Sequence, residues 1–198
     1  MIPPTRSIRS TDMKLFTDSS DKGFGATYGH SWFLGPWSQQ QLDQCINYRE
    51  LYAILAATLT WGHKWAGKRI VFITDNKPIT QVWDKGTSPS QSIMSLIRPL
   101  YMFAALNGFS ISFKHIFGFL NVAAHALSRF QMDEFRNAMP YAERLPTKLP
   151  RTISSLIPPP PSPSSKNERR SSYKKPLLLL PEASTTITSK HTPHSAKY

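Results

Sequence analysis

Short apolar runs separated by turn residues fill the first forty positions, and longer stretches at helical spacing follow them. Met13–Thr17 is mostly apolar and stops at Asp18, ahead of the turn Ser19-Ser20-Asp21-Lys22-Gly23. Phe24–Tyr28 and Trp32–Trp37 read as two more strands, joined at Gly29-His30 and closed by Gly35-Pro36. Three consecutive strands with short links predict an antiparallel meander. Asn47 then opens a long helix with Glu50 three residues on, the spacing of a capping box. Tyr48, Leu51, Tyr52, Leu55 and Leu59 recur at helical spacing, so one face is expected to pack on a sheet, and Gly67 closes the segment. Ile70–Thr74 is an apolar run short enough to be a strand buried on both faces. Asp75-Asn76-Lys77-Pro78 turns into a short helix through Trp83. Another helix is predicted from about Ser90 to Leu106, with a kink or break at Pro99 and a stop at Asn107-Gly108. Phe109–His115 alternates as a last strand, and Asn121–Arg129 reads as a small helix. The order βββ-α-β-α-α-β-α predicts an α/β fold, a mixed sheet with helices on its faces.

The pattern fades after residue 150. Residues 151–198 carry eight of the 17 prolines, including the run Pro158 to Pro161, and eight basic residues against two acidic ones. Half of the net charge of +12 therefore belongs to this stretch. Its composition buries too little apolar surface to offset chain entropy, so a disordered, basic, Pro/Ser-rich tail is expected over 151–198. Within it, Lys166, Arg169, Arg170, Lys174 and Lys175 match a nuclear address or a nucleic-acid contact in composition, although a merely solvated tail is the favoured reading. The positive balance points to a polyanion as partner. A single cysteine, Cys45, excludes an internal disulfide framework and a multi-cysteine zinc site. No apolar run approaches the roughly 18 residues of a membrane span. Met1–Ser10 has no hydrophobic signal segment. An intracellular protein without a membrane partner is expected, with cytoplasm and nucleus not distinguished.

The acidic residues fall at telling places. Asp18 ends the first strand, Asp75 ends the fourth, and Glu50 sits in the first turn of the helix between them. Ligands of open α/β sheets gather outside the carboxyl ends of central strands. If strands one and four are neighbours, the two aspartates meet there and the helix start brings Glu50 alongside. Three carboxylates in one place repel unless a cation neutralises them, and hard oxygen ligands favour magnesium or manganese. Two such ions about 4 Å apart activate a water and stabilise the leaving oxygen of a phosphodiester. Each acid also has a plainer use: Asp18 shapes a turn, Glu50 completes the capping box, and Asp75 caps the next helix. Their joint placement favours a site.

These residues match a family. The chain resembles the ribonuclease H domain of retroelement reverse transcriptases, most closely the type of DIRS-like, tyrosine-recombinase retrotransposons. The resemblance rests on Leu15-Phe16-Thr17-Asp18-Ser19-Ser20 with Gly23-Phe24-Gly25-Ala26, and on Ile46-Asn47-Tyr48-Arg49-Glu50-Leu51. It continues in Ile73-Thr74-Asp75-Asn76, in His115-Ile116-Phe117-Gly118 and in Asn121-Val122-Ala123-Ala124-His125-Ala126-Leu127-Ser128-Arg129. It covers about residues 13–150, where 131–150 resembles the short segment that trails the domain in such elements. It implies a ribonuclease H-like domain over 13–130 after a leader at 1–12, with a five-stranded mixed sheet whose first three strands are antiparallel. It implies hydrolysis of RNA within an RNA–DNA hybrid with two magnesium ions, manganese being the substitute. It also implies a monomer as an isolated domain. Because the chain starts about a dozen residues before the first strand, where an element protein would place its polymerase, a fragment or remnant of a polyprotein is expected.

By position, Asp18, Glu50 and Asp75 match three of the family's four catalytic acids, and His125 stands where the fourth belongs. A neutral imidazole suits zinc or manganese better than magnesium and removes a negative charge, so turnover is expected to suffer. A non-catalytic nucleic-acid-binding remnant is the alternative. Other expected nucleic-acid contacts are Gly23 and Gly25, whose backbone amides would meet a ribose 2′-hydroxyl, together with Asn76. Lys64, Lys68 and Arg69 would track phosphates. Trp32, Phe33 and Trp37 are candidates for stacking or for the core.

Overall fold

A computed structural model describes residues 12–151 and 153. The leader up to residue 11 and the basic cluster of the expected tail lie outside the described residues. Five strands alternate with helices: β1 (Met13–Ser19), β2 (Gly23–Tyr28), β3 (Ser31–Pro36), α1 (Gln39–Leu42), α2 (Ile46–Trp61) and β4 (Arg69–Thr74) come first. They are followed by α3 (Lys77–Lys85), α4 (Gln91–Leu106), β5 (Ser110–His115), α5 (Val122–Ser128) and α6 (Met132–Ala138). The sheet order is β3-β2-β1-β4-β5. β1, β2 and β3 form the antiparallel meander, while β1 pairs with β4 and β4 with β5 in parallel. The mixed five-stranded sheet with flanking helices is thus the expected architecture. No helix among the described residues is long and apolar enough to cross a membrane.

Strand alternation sends side chains to two cores. Leu15, Ala26, Phe33, Ile70 and Phe72 join α2 and α4 in the principal core. Trp32 joins Ala126, Leu127 and Phe135 of α5 and α6 on the other face, with Leu34 packed against them. α2 is buried along thirteen of its sixteen residues, because it lies between the sheet and α4 and not on the sheet alone. Its Thr58 and Thr60 hydroxyls are absorbed by the Ile54 and Ala56 carbonyls at 2.9 and 2.7 Å. α4 runs through Pro99 as one element. The aromatic candidates for stacking are core: Phe33 and Trp32 are buried, and the Trp37 indole donates to the Ser20 carbonyl at 2.8 Å.

The fold continues beyond residue 130. Phe135 of α6 is buried against Trp32 at 4.9 Å between ring centroids, and the Arg136 guanidinium lies 5.1 Å from the Trp32 ring centroid. Further on, the Glu143 amide donates to the His30 carbonyl at 2.8 Å and the Thr147 amide to the Trp32 carbonyl at 2.7 Å. The segment beyond α6 therefore lies along β3, and Ile153 is buried in the principal core, two residues past the expected start of the tail.

α5 reaches the sheet through a glycine. A Cβ on Gly25 would stand 2.4 Å from the Leu127 Cβ and 3.1 Å from the Ser128 amide nitrogen. Neither is the end of a flexible side chain. Gly25→Ala is expected to cost about 3 kcal/mol, the upper range for overpacking, as read from the denaturant midpoint. A loss below about 1 kcal/mol would show that α5 can lift off the sheet cheaply.

Candidate active site

The C-terminal ends of the parallel neighbours β1 and β4 hold the acids. Asp18 is the penultimate residue of β1, paired with Gly25, and is 3% exposed. Asp75 follows β4 directly. Glu50 projects from the first turns of α2 and is 4% exposed. One carboxylate oxygen from each of the three lies within 4.8 Å of the others.

Each acid is held differently. The Asp18 Oδ2 accepts from the Ser128 hydroxyl and, at 3.0 Å, from the Arg129 guanidinium. The Ser20 hydroxyl donates to the Ser128 carbonyl at 2.7 Å, so the turn after β1 holds the end of α5 in place. Glu50 Oε1 accepts from the Ser19 amide at 3.2 Å, whereas its Oε2 is buried with no hydrogen-bond partner among the described residues. Gly118 leans over Asp75: a Cβ there would stand 2.8 Å from the Asp75 Oδ2. The His115 Nε2 lies 3.0 Å from the Asp75 carbonyl oxygen.

Crowded, buried carboxylates resist ionisation. Burial pushes the Glu50 carboxyl well above the usual glutamate range, and the charges of Asp18 and Asp75 add to it against the Ser19 amide and Arg129. Burial likewise raises Asp18, opposed by the Ser128 hydroxyl; Asp75 pushes the same way as burial, and Arg129 and His125 oppose it.

The remaining candidates are scattered. His125 is half-buried on α5, one turn before Ser128 and Arg129 and close enough for its charge to act on Asp18. Gly23 and Gly25 serve packing, since a Cβ on Gly23 would strike the Gly35 carbonyl at 2.4 Å. Asn76 caps α3 by accepting from the Ile79 amide at 3.2 Å and donates to the Asn47 side chain at 2.9 Å. Asn47 is therefore no cap; α2 begins after Cys45, and Glu50 spends its oxygen on Ser19 and not on a capping box. Arg69 opens β4 at the end opposite Asp75, about 20 Å from it at strand rise, and Lys64 and Lys68 precede it in the connection from α2. Arg69 there pairs with Asp12 at 2.8 Å. Ser128, Arg129 and Gly118 had no assigned role in the sequence reading. The spacing of His125, Ser128 and Arg129, three and four residues apart, was the available sign of one helical face.

Neither a protein-family model nor a curated protein sequence matches the chain. Solved structures do. RNase H1 from the halophilic archaeon Halobacterium salinarum NRC-1 is 13% identical, with a TM-score of 0.50 over 62% of this chain and 98% of that one. LC11-RNase H1, isolated from compost by a metagenomic approach, is 14% identical with a TM-score of 0.43 over 63% and 97%. The first likeness establishes the fold as ribonuclease H-like.

Proposed function

We propose that this chain is a retroelement-derived ribonuclease H-like domain that hydrolyses the RNA strand of RNA–DNA hybrids, with turnover limited by His125. The observation that carries the reading is the trio Asp18, Glu50 and Asp75 within 4.8 Å at the ends of two parallel strands. The donor set suits a divalent cation. All three ligands are hard oxygens, fitting magnesium or manganese, and the unpartnered Glu50 Oε2 is the buried acceptor that such an ion would satisfy. Bound there, the ion would supply an activated water and neutralise charge on a phosphodiester oxygen.

The protein's own groups set the terms. The Ser19 amide fixes one Glu50 oxygen and leaves the other to the site. On the side of β5, His115 meets the Asp75 carbonyl and Gly118, lacking a Cβ, leaves room for the Asp75 carboxylate. Three carboxylates less the Arg129 guanidinium leave two negative charges, which match one dication at rest. A second ion would need the phosphate of the substrate to balance it. One observation favours the alternative of a non-catalytic nucleic-acid-binding remnant: Arg129 already neutralises one oxygen of Asp18.

The deciding experiment offers labelled RNA–DNA hybrid, RNA duplex and DNA duplex to wild type and Asp75→Asn, in magnesium and in manganese. Slow, metal-dependent cleavage confined to the hybrid and absent from Asp75→Asn is expected. Binding without cleavage in either metal would establish the remnant, and cleavage that survives Asp75→Asn would remove the trio from the chemistry.

A further inference from the structure

The loop between β5 and α5 carries two aromatic rings that no part of the proposed chemistry uses. Phe117 is 67% exposed and Phe119 75% exposed. Their rings are nearly parallel, with an interplanar angle of 10° and centroids 5.8 Å apart. Burying aromatic surface is among the larger gains of folding, so two stacked phenylalanines left in solvent call for an occupant. Their base is well anchored. The Ile116 amide donates to the Thr74 carbonyl at 3.0 Å, the Leu120 amide to the Phe117 carbonyl at 2.9 Å and the Asn121 amide to the Gly118 carbonyl at 3.0 Å. The Asn121 side chain, itself buried, donates to the Thr17 carbonyl at 2.9 Å, one residue before Asp18. Gly118, the residue between the two rings, is the one that leans on Asp75.

We propose that Phe117 and Phe119 form a stacking platform for an unpaired nucleobase on the strand that leaves the carboxylate site. The occupant follows from position and shape. The platform is one residue to either side of Gly118, where an added Cβ would stand 2.8 Å from the Asp75 Oδ2, so the nucleotides next to a phosphodiester held at the acids are the occupants within reach. A base inserted between the rings would need two stacking intervals, about 6.8 Å, more than their separation. The base therefore adds to an outer face and extends the pair into a stack of three. Lys114 and Lys77, both exposed, stand one residue from His115 and two from Asp75, where they serve the backbone of the same strand. Stacking of this kind is tolerant of sequence, because every base has an aromatic face. The platform thus favours junctions, where a hybrid gives way to a single strand, over an uninterrupted hybrid. The nuclease reading supplies the class of substrate for this inference.

The test uses the full chain, a hybrid with a single-stranded overhang carrying 2-aminopurine, and calcium in place of magnesium to hold off cleavage. Phe117→Ala and Phe119→Ala are each expected to weaken binding about tenfold and to relieve the quenching of 2-aminopurine, with Phe119→Tyr close to wild type. The loss should persist at 0.3 M salt, where phosphate contacts fade, and vanish when the overhang is abasic. Equal affinity of wild type and both alanine variants would overturn the platform. So would an equal loss on the abasic overhang, or self-association of wild type that the alanine variants abolish. The exposed rings contribute little to folding, so unchanged melting confirms that each variant is a fair comparison. Ring-dependent binding without cleavage in magnesium or manganese would remove the nuclease reading alone, and cleavage and binding indifferent to both rings would remove the platform alone.

Discussion

His125→Asp is expected to cleave the RNA of a hybrid about a hundredfold faster than wild type in magnesium, a gain of about 2.7 kcal/mol in the barrier. Residue 125 lies on α5 one turn ahead of Ser128 and Arg129, whose side chains both reach Asp18. A carboxylate there adds a hard oxygen ligand and a third uncompensated negative charge, so that two dications become affordable electrostatically. The imidazole does neither, and its charged form repels the ion. His125→Asn separates the two effects, because it removes the imidazole without adding charge and is expected to remain near the wild-type rate. Single-turnover rates at saturating metal read the difference. If His125→Asp is no faster, the histidine does not limit turnover.

Glu50→Gln is expected to melt about 5 °C higher than wild type in metal-free buffer at pH 7.5, while losing hybrid cleavage. Glu50 is buried beside two other acids, and its pKa in the folded chain is raised well above 4.5. Between the ordinary and the raised value the folded protein holds a proton that the unfolded chain has released. Stability from this group is therefore full at low pH and falls as pH rises through that window. At pH 7.5, above the ordinary glutamate range, this group opposes folding unless a cation meets it. Glutamine keeps the acceptor for the Ser19 amide and gives Asp18 or Asp75 a donor. The advantage should shrink towards pH 5, and added manganese should stabilise wild type while leaving the variant nearly unmoved. A metal-free variant that melts below wild type at pH 7.5 would contradict the burial argument.

The places where the sequence was readable share a physical cause. Strands one and four end in acids, and the polarity of a strand decides which end its last residue occupies; Asp18 and Asp75 follow from that alone once β1 and β4 are neighbours. The same polarity placed Lys64, Lys68 and Arg69 at the far end, a deduction that their closeness to the motifs in sequence obscured. Asn47 and Glu50 have capping-box spacing, but the partners that claim them, Asn76 and Ser19, are 29 and 31 residues away, and local spacing carries no trace of such contacts. Glycines 23 and 25 also have a packing use that local sequence does not show, since Phe130 and Leu127 fill the space a Cβ would take. Phe135 lies far from Trp32 in sequence, so its burial against that ring is visible only when α5 has brought the two together.

The stretch beyond α6 has a consequence for how the domain can be cut. Its amides at Glu143 and Thr147 satisfy carbonyls of His30 and Trp32 along the outer side of β3. A chain ended at residue 130 would keep Asp18, Glu50 and Asp75 and still lack this cover. It would offer a bare row of backbone donors and acceptors, with the Trp32 indole uncovered beside it, as a template for a second molecule to pair with. Solubility and chemistry thus have different minimum lengths in this chain. The shorter length contains the acids, and the longer one keeps copies of the sheet apart.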